Sequence, residues 1–305
     1  MAGRTKDKDG HVTSQLLNFT PDSYLERTSR PIYAIVFLLP FIVFYEVGTI
    51  LINTDVLNHY QVRVVAFVWL QDLLQHFGTG TRFAWVAPPL VVVLILLGFQ
   101  LASRKPWYFC LSDYTPMLVE CILLALPLIA LSLMLNGPAS DTLWQTGPVE
   151  QGVRTGMAEG RRMLASEGAA YLERSASPAT EPTSPMTDIV TGVGAGIYEE
   201  LVFRLILICA LMVLFQDLIG MNHKNAIVLA VLVSAALFSA HHHIGWHDGQ
   251  LGRIAPFAWP EFAFRTAAGV YFAGLFALRG FGITAGTHAF YDIIATVVNA
   301  IFFAR

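Results

Sequence analysis

Long apolar runs separated by short polar breaks dominate this chain from Pro31 to Phe303. A helix needs about 20 apolar residues to cross a bilayer. Seven stretches meet that pattern: Pro31–Asn53, Phe83–Ala102, Met117–Leu135, Asp188–Ile219, Asn225–Ile244, Ala258–Leu278 and Phe281–Phe303. Tyr60–Phe77 is mixed. Val64, Val65, Phe67, Val68, Leu70, Leu73 and Leu74 are apolar, but Arg63, Gln71, Asp72 and Gln75 interrupt them. This spacing predicts an amphipathic helix at the interface or packed on the bundle; if it crosses, the spans number eight. The fold class is therefore an all-α, polytopic transmembrane helical bundle of about seven spans.

Polar stretches set the organisation. Residues 1–30 form a polar N-terminal segment, expected to be disordered in its first part. They have no apolar core of a signal peptide, so the first span would serve as the insertion signal. Residues 31–135 read as an N-terminal helical scaffold and 136–187 as a polar insert. Within the insert, Val149–Arg174 has helical spacing, and Ser175–Pro185 is a Ser/Pro/Thr-rich linker. Residues 188–305 form a four-helix core, which holds every cluster of ionisable residues inside apolar sequence. Pro40 is expected to kink the first span, and Glu46 reads as a satisfied polar residue near the interface.

Composition agrees. Of 305 residues 55% are hydrophobic and 13% charged, against about 25% charged in soluble domains. The net charge of -3 does not point to a partner, and with no basic patch in the sequence no nucleic-acid partner is expected. Cys110, Cys121 and Cys209 have no pair spacing, so they read as small packing residues rather than a disulfide framework. The Lys/Arg distribution leans towards a cytoplasmic N-terminus.

The core carries the chemistry. Glu199, Glu200 and Arg204 lie in the middle of the run 189–214. A charge at such depth costs about 2.5–3.5 kcal/mol on the mildest scale. Glu200 and Arg204, four apart, share a helix face and can pair. Glu199 points about 100° away and has no partner within its own segment. A carboxylate in apolar surroundings is a candidate acid/base group. The bland alternatives are a capping pair at a membrane edge, an ion-pair lock between helices, or an ion pathway.

Phe238-Ser-Ala-His-His-His-Ile-Gly245 ends the next span. Consecutive helical residues point about 100° apart, so His241, His242 and His243 cannot all face one ion, and a His-Glu-x-x-His zinc spacing is absent. His242 shares a face with Phe238 and is taken as the inward one. His241 and His243 are expected at the interface or behind the site, and His247 in a loop. In the last span His288 and Asp292 share a face, where Asp292 can fix the tautomer of the ring. A buried pair locking two helices is the competing reading. Arg265 with Glu261 reads as a structural i,i+4 pair.

Glu199-Glu200-x-x-x-Arg204, Phe238-x-x-x-His242 and His288-x-x-x-Asp292 together resemble the CAAX prenyl protease and bacteriocin-processing family, the CPBP or Abi family of intramembrane glutamate endopeptidases. The resemblance covers roughly 187–303. It implies peptide-bond hydrolysis in the membrane with no cofactor and no metal. Glu199 would be the general base, His242 would help hold the water, and Glu200 with Arg204 would maintain the site. His288 would donate to the oxyanion. The family commonly has Asn at the position of Asp292, and an ionised Asp cannot donate, so Asp292 either stays protonated or serves His288 as an orienting anion, and orientation is the favoured expectation. The implied partners are membrane lipid and a membrane-anchored or lipidated peptide, and the implied location is the cell (inner or cytoplasmic) membrane. Oligomeric state is not legible. The competing functions are a metal-dependent hydrolase on the histidine run, and a non-enzymatic scaffold, immunity protein or carrier.

Overall fold

The computed structural model describes residues 20, 22–53, 64–76, 86–136, 184–247, 250–253 and 259–302. The elements are α1 (Tyr24–Thr28), α2 (Pro31–Asn53), α3 (Val65–His76), α4 (Ala87–Ser103), α5 (Tyr114–Asn136), α6 (Pro185–Leu218), α7 (His223–His241) and α8 (Trp259–Phe302). A two-stranded antiparallel hairpin, β1 (Ile244–His247) with β2 (Gln250–Arg253), follows α7. Most of the polar insert, from 137 to 183, and with it the helical reading of 149–174, lies outside the described residues. So do residues 1–19.

Among the described residues five helices are long and apolar enough to cross a membrane: α2, α5, α6, α7 and α8. The seven expected spans do not appear as seven such helices, for two reasons. The run at Phe83–Ala102 yields α4, a 17-residue helix about 25 Å long. The last two runs are both helical but join without a loop at Gly280, whose φ of 76° and ψ of 178° are non-helical, so they count as the two legs of one 44-residue element. A residue with a Cβ adopts such a conformation only under strain. Phe272 and His288 would stand about 24 Å apart on a straight helix, yet their rings stack at 4.5 Å. The legs 259–279 and 281–302 therefore fold back on each other. The mixed run at Tyr60–Phe77 gives the 12-residue α3, too short to span. Val64, Ala66, Phe67 and Leu70 are buried against the bundle. The hairpin and the strand position of His247, read above as a loop residue, were not legible, because four-residue strands carry no detectable period.

Outward faces are apolar too. Leu39, Val43, Val47 and Leu51 on α2, Leu90, Leu94 and Leu101 on α4, and Val228 and Leu232 on α7 are all exposed. Helices apolar all round belong in lipid, and the chain is a multi-pass membrane protein. In lipid, helices associate through close packing and small residues rather than the hydrophobic effect. Here the glycines of α6 supply it. A Cβ on Gly196 would sit 2.5 Å from the backbone N of Ala289 and 2.9 Å from the Ala285 carbonyl. Gly194 lies against the Tyr45 ring and Gly192 against Asp292 Cβ. These contacts run α6 antiparallel to both α2 and the second leg of α8. The Glu46 carboxylate accepts from Tyr198 at 3.1 Å, a satisfied polar residue as expected. All three cysteines are free, with Cys121 buried and Cys209 on the outward face.

A polar lattice ties α1 to the bundle. Arg27 donates twice to Asp113, each at 3.0 Å, and Tyr33 donates to the same carboxylate at 2.9 Å. Beside the Gly280 bend, Arg279 donates to Glu120 and to Thr28, both at 2.8 Å, and Tyr24 donates to Glu120 at 2.7 Å. Glu26 pairs with Arg30 and Lys105. Burial raises the Glu26 pKa, but the hydrogen bonds and charges of Arg30 and Lys105 outweigh it and hold the carboxyl below its ordinary 4.5.

Gly196→Val is expected to overpack a backbone-to-backbone contact and cost at least about 1–3 kcal/mol, read as a lower unfolding midpoint in detergent. Gly98→Ala, inside α4 with open space around its Cβ, should leave the midpoint unchanged or raise it slightly, since Ala is the better helix former. A depressed carboxyl stabilises above its unfolded pKa and loses that contribution as pH falls through the folded value. The wild-type midpoint should therefore drop as pH is lowered below about 4.5. Glu26→Gln should start lower at pH 7 and fall less.

Candidate active site

Helix lengths decide which side chains meet. Residues 219–222 separate α6 from α7, and Asn222 caps α7 by accepting from the Asn225 N–H at 3.0 Å. The nineteen residues of α7, laid back antiparallel along α6 from Leu218, end beside Glu200. The end of α7 therefore faces the two glutamates although they lie mid-helix. α6 leaves regular α geometry immediately after Glu200, with a π-helical stretch at Leu201–Leu207; such stretches are frequent at functional sites.

Glu200 and Arg204 have no exposed surface. Arg204 Nε lies 3.0 Å from Glu200 Oε2, but its N–H is not aimed at that oxygen, so the pairing is electrostatic rather than a formed hydrogen bond. The guanidinium lies over the Phe238 ring at 4.3 Å and near Phe272 at 5.7 Å, cation–π contacts that desolvation strengthens. The other Glu200 oxygen accepts from His288 Nδ1 at 2.8 Å. His288 Nε2 faces Asp292 Oδ2 at 3.6 Å, and Phe272 stacks on the ring.

This revises one expectation. The carboxylate hydrogen-bonded to the His288 ring is Glu200, from another helix; Asp292 lies beyond hydrogen-bond distance on the far side. Helical spacing suggested Asp292 because it sits four residues from His288. The Glu200 contact joins positions 88 apart in the chain, which no local pattern reports.

Glu199, 4% exposed, has its oxygen Oε1 3.5 Å from His241 Nε2. His241 was expected at the interface or behind the site. Instead it is buried among Trp69, Phe203 and Phe238. The α-helix ends at His241, with His242 as its C-cap, so helical divergence no longer separates the two rings. Their centroids are 3.9 Å apart. His243 turns away, and Arg265 lies 3.3 Å from its Nε2. Arg265 also pairs with Glu261 at 3.7 Å, as the spacing suggested. The signal missed was that a Gly follows the histidine run at 245, marking the helix end just where the periodicity argument was applied. Phe272 was missed for want of any signal, being one aromatic among many.

Glu199, His242, His288 and Asp292 line one cavity of about 30 Å³, closed by Phe238, Phe264, Arg265, Ala268, Phe272 and Tyr291. A water needs about 10–15 Å³ of such space and two to four polar partners, and both requirements are met. All six residues singled out from the sequence thus converge, four on the cavity and Glu200 and Arg204 directly behind it. A larger open groove of about 550 Å³ beside Thr115, Val119 and Leu123 holds none of them.

Residues 182–294 match the model of a protein family described as type II CAAX prenyl endopeptidase Rce1-like. The matched segment contains all three motifs, and the resemblance drawn from them is borne out over this core. The family's description is that of a peptidase, which suggests CAAX-type intramembrane protease activity for the core. No curated protein and no solved structure matches the chain significantly.

Arg204→Leu would strand Glu200 in the core without its cation. Breaking a buried pair on one side costs about 3–5 kcal/mol, and a fall of that size in unfolding free energy in detergent is expected.

Proposed function

We propose that this protein is a metal-independent intramembrane endopeptidase in which Glu199 activates a water to cleave a membrane-anchored or lipidated peptide. The observation that carries this reading is the water-sized cavity lined at once by Glu199, His242, His288 and Asp292. Residues 188–305 act as the catalytic core, 31–135 as its scaffold, and the cell (cytoplasmic) membrane is the location.

In this reading Glu199 accepts a proton from the water as the oxygen attacks the scissile carbonyl. His242, on the same cavity, helps hold that water. The proton on Glu199 then passes to the departing amine, which leaves the carboxylate ready for another turn. His288 donates from Nε2 to the developing oxyanion. Its Nδ1–H is already committed to Glu200, so donation from Nε2 requires the imidazolium. Glu200 and Asp292 flank the ring and balance that charge. Asp292 thereby stands as an anion beside the ring rather than as an oxyanion donor, which agrees with its chemistry when ionised. Arg204, paired with Glu200 at 3.0 Å, holds that side chain in place.

The test is cleavage of a membrane-anchored reporter by the purified protein. Glu199→Gln should lower the rate at least about 10²-fold, within the range for a positioned acid/base group. His288→Ala should cost about 10²–10³, as loss of one oxyanion donor does. A metal chelator should not reduce activity. Undiminished cleavage by Glu199→Gln would sink the proposal and leave a polar-locked membrane scaffold.

A further inference from the structure

His241 is outside the three motifs, yet it makes the closest approach to Glu199. Its Nδ1–H donates to the Phe238 carbonyl in a short hydrogen bond. In the neutral ring that leaves Nε2 as a lone pair, and it faces the Glu199 carboxylate at 3.5 Å. Two acceptors aimed at each other repel unless a cation or proton lies between them. A ring N–H anchored to a backbone carbonyl is also how metal-ligating histidines are usually oriented.

His242 supplies a third donor. One ligand atom from each of Glu199, His241 and His242 falls within 4.8 Å of the other two. Ligands bound tetrahedrally to zinc at about 2.0–2.2 Å stand roughly 3.4 Å apart. The Glu199–His241 separation already fits, and His242, half-buried at the helix end, has a ring nitrogen within 4.8 Å of both. The donor set of two imidazoles and one carboxylate suits zinc-class ions. Neighbouring cations are matched by carboxylates, His288 by Glu200 and Asp292. The cavity is also lined by Asp292 and by Arg265, which is paired with Glu261, while Glu200 is engaged by Arg204.

We propose that Glu199, His241 and His242 form a binding site for a divalent zinc-class ion, and that its occupancy switches the hydrolytic site off. The ion neutralises the Glu199 carboxylate through the oxygen that faces His241 and so lowers its power to take the proton of water. The inhibitory half rests on the hydrolytic reading above, whereas the binding half does not.

The experiment uses the full chain, tag-free in detergent, titrated with Zn²⁺ alone and scored by bound zinc after equilibrium dialysis. One ion per chain is expected at micromolar zinc. His241→Phe keeps an aromatic ring in the pocket of Trp69, Phe203 and Phe238 but has no ligand atom. It should weaken binding by more than the about 10–100-fold that loss of a supporting hydrogen bond costs. Glu199→Gln should weaken it too, and His243→Ala should not. On the reporter peptide, zinc should suppress cleavage by the wild type and a chelator should restore it. His241→Phe should lose that sensitivity. No zinc bound by the wild type, or equal binding by His241→Phe, overturns the site. Zinc that binds here but accelerates cleavage overturns the inhibitory role and the metal-free mechanism together. Zinc bound and lost as described, in a protein that cleaves no reporter, supports the site while removing the hydrolytic reading.

Discussion

A carboxylate with no exposed surface, held between a guanidinium and an imidazole, constrains everything around it. Removing Glu200 from water costs several kcal/mol, and only close partners repay it. Its partners come from different places: Arg204 from the next turn of α6, and His288 from the far leg of α8. Arg204 in turn lies over Phe238 of α7 and near Phe272 of the near leg of α8. One buried charge pair therefore registers α6, α7 and both legs of α8 against each other. Such a pair contributes little net stability compared with a well-packed apolar alternative. Its value lies in the single arrangement of Glu199, His242, His288 and Asp292 that it permits.

Close packing makes that arrangement reachable. His288 comes within hydrogen-bond distance of Glu200 because α6 has no Cβ at Gly192 or Gly196, where it meets the second leg of α8. The polar pair and the glycine seam lie on the same interface, one setting its register and the other its distance. At the other end of that leg, the Gly280 bend is held by Arg279, Glu120 and Thr28. The stack of Phe272 on His288 then fixes how the two legs lie together.

The same geometry sets two uses of Glu199 in competition. In the two proposals a water in the cavity and a metal ion at the two rings both draw on its negative charge, so metal binding would weaken hydrolysis. His241, held by the Phe238 carbonyl and surrounded by aromatic rings, is fixed in the orientation that makes the second use available. His242 contributes to either.

Hydrophobic runs of bilayer length, set against sparse charge, were enough to read a polytopic helical membrane protein from the sequence. Three i,i+4 motifs were enough to single out Glu199, Glu200, Arg204, His242, His288 and Asp292, because helical periodicity is a local property carried in the spacing itself. That spacing could not tell which carboxylate binds His288, since Glu200 reaches it from 88 positions away. Nor could it tell that His241 turns inward, because the helix ends there and the angular rule ends with it. It also could not tell that the last two spans meet at Gly280 without a loop and stack on each other. Only the tertiary structure decided these points, because contacts between distant segments depend on where each helix stops and how closely two backbones can approach.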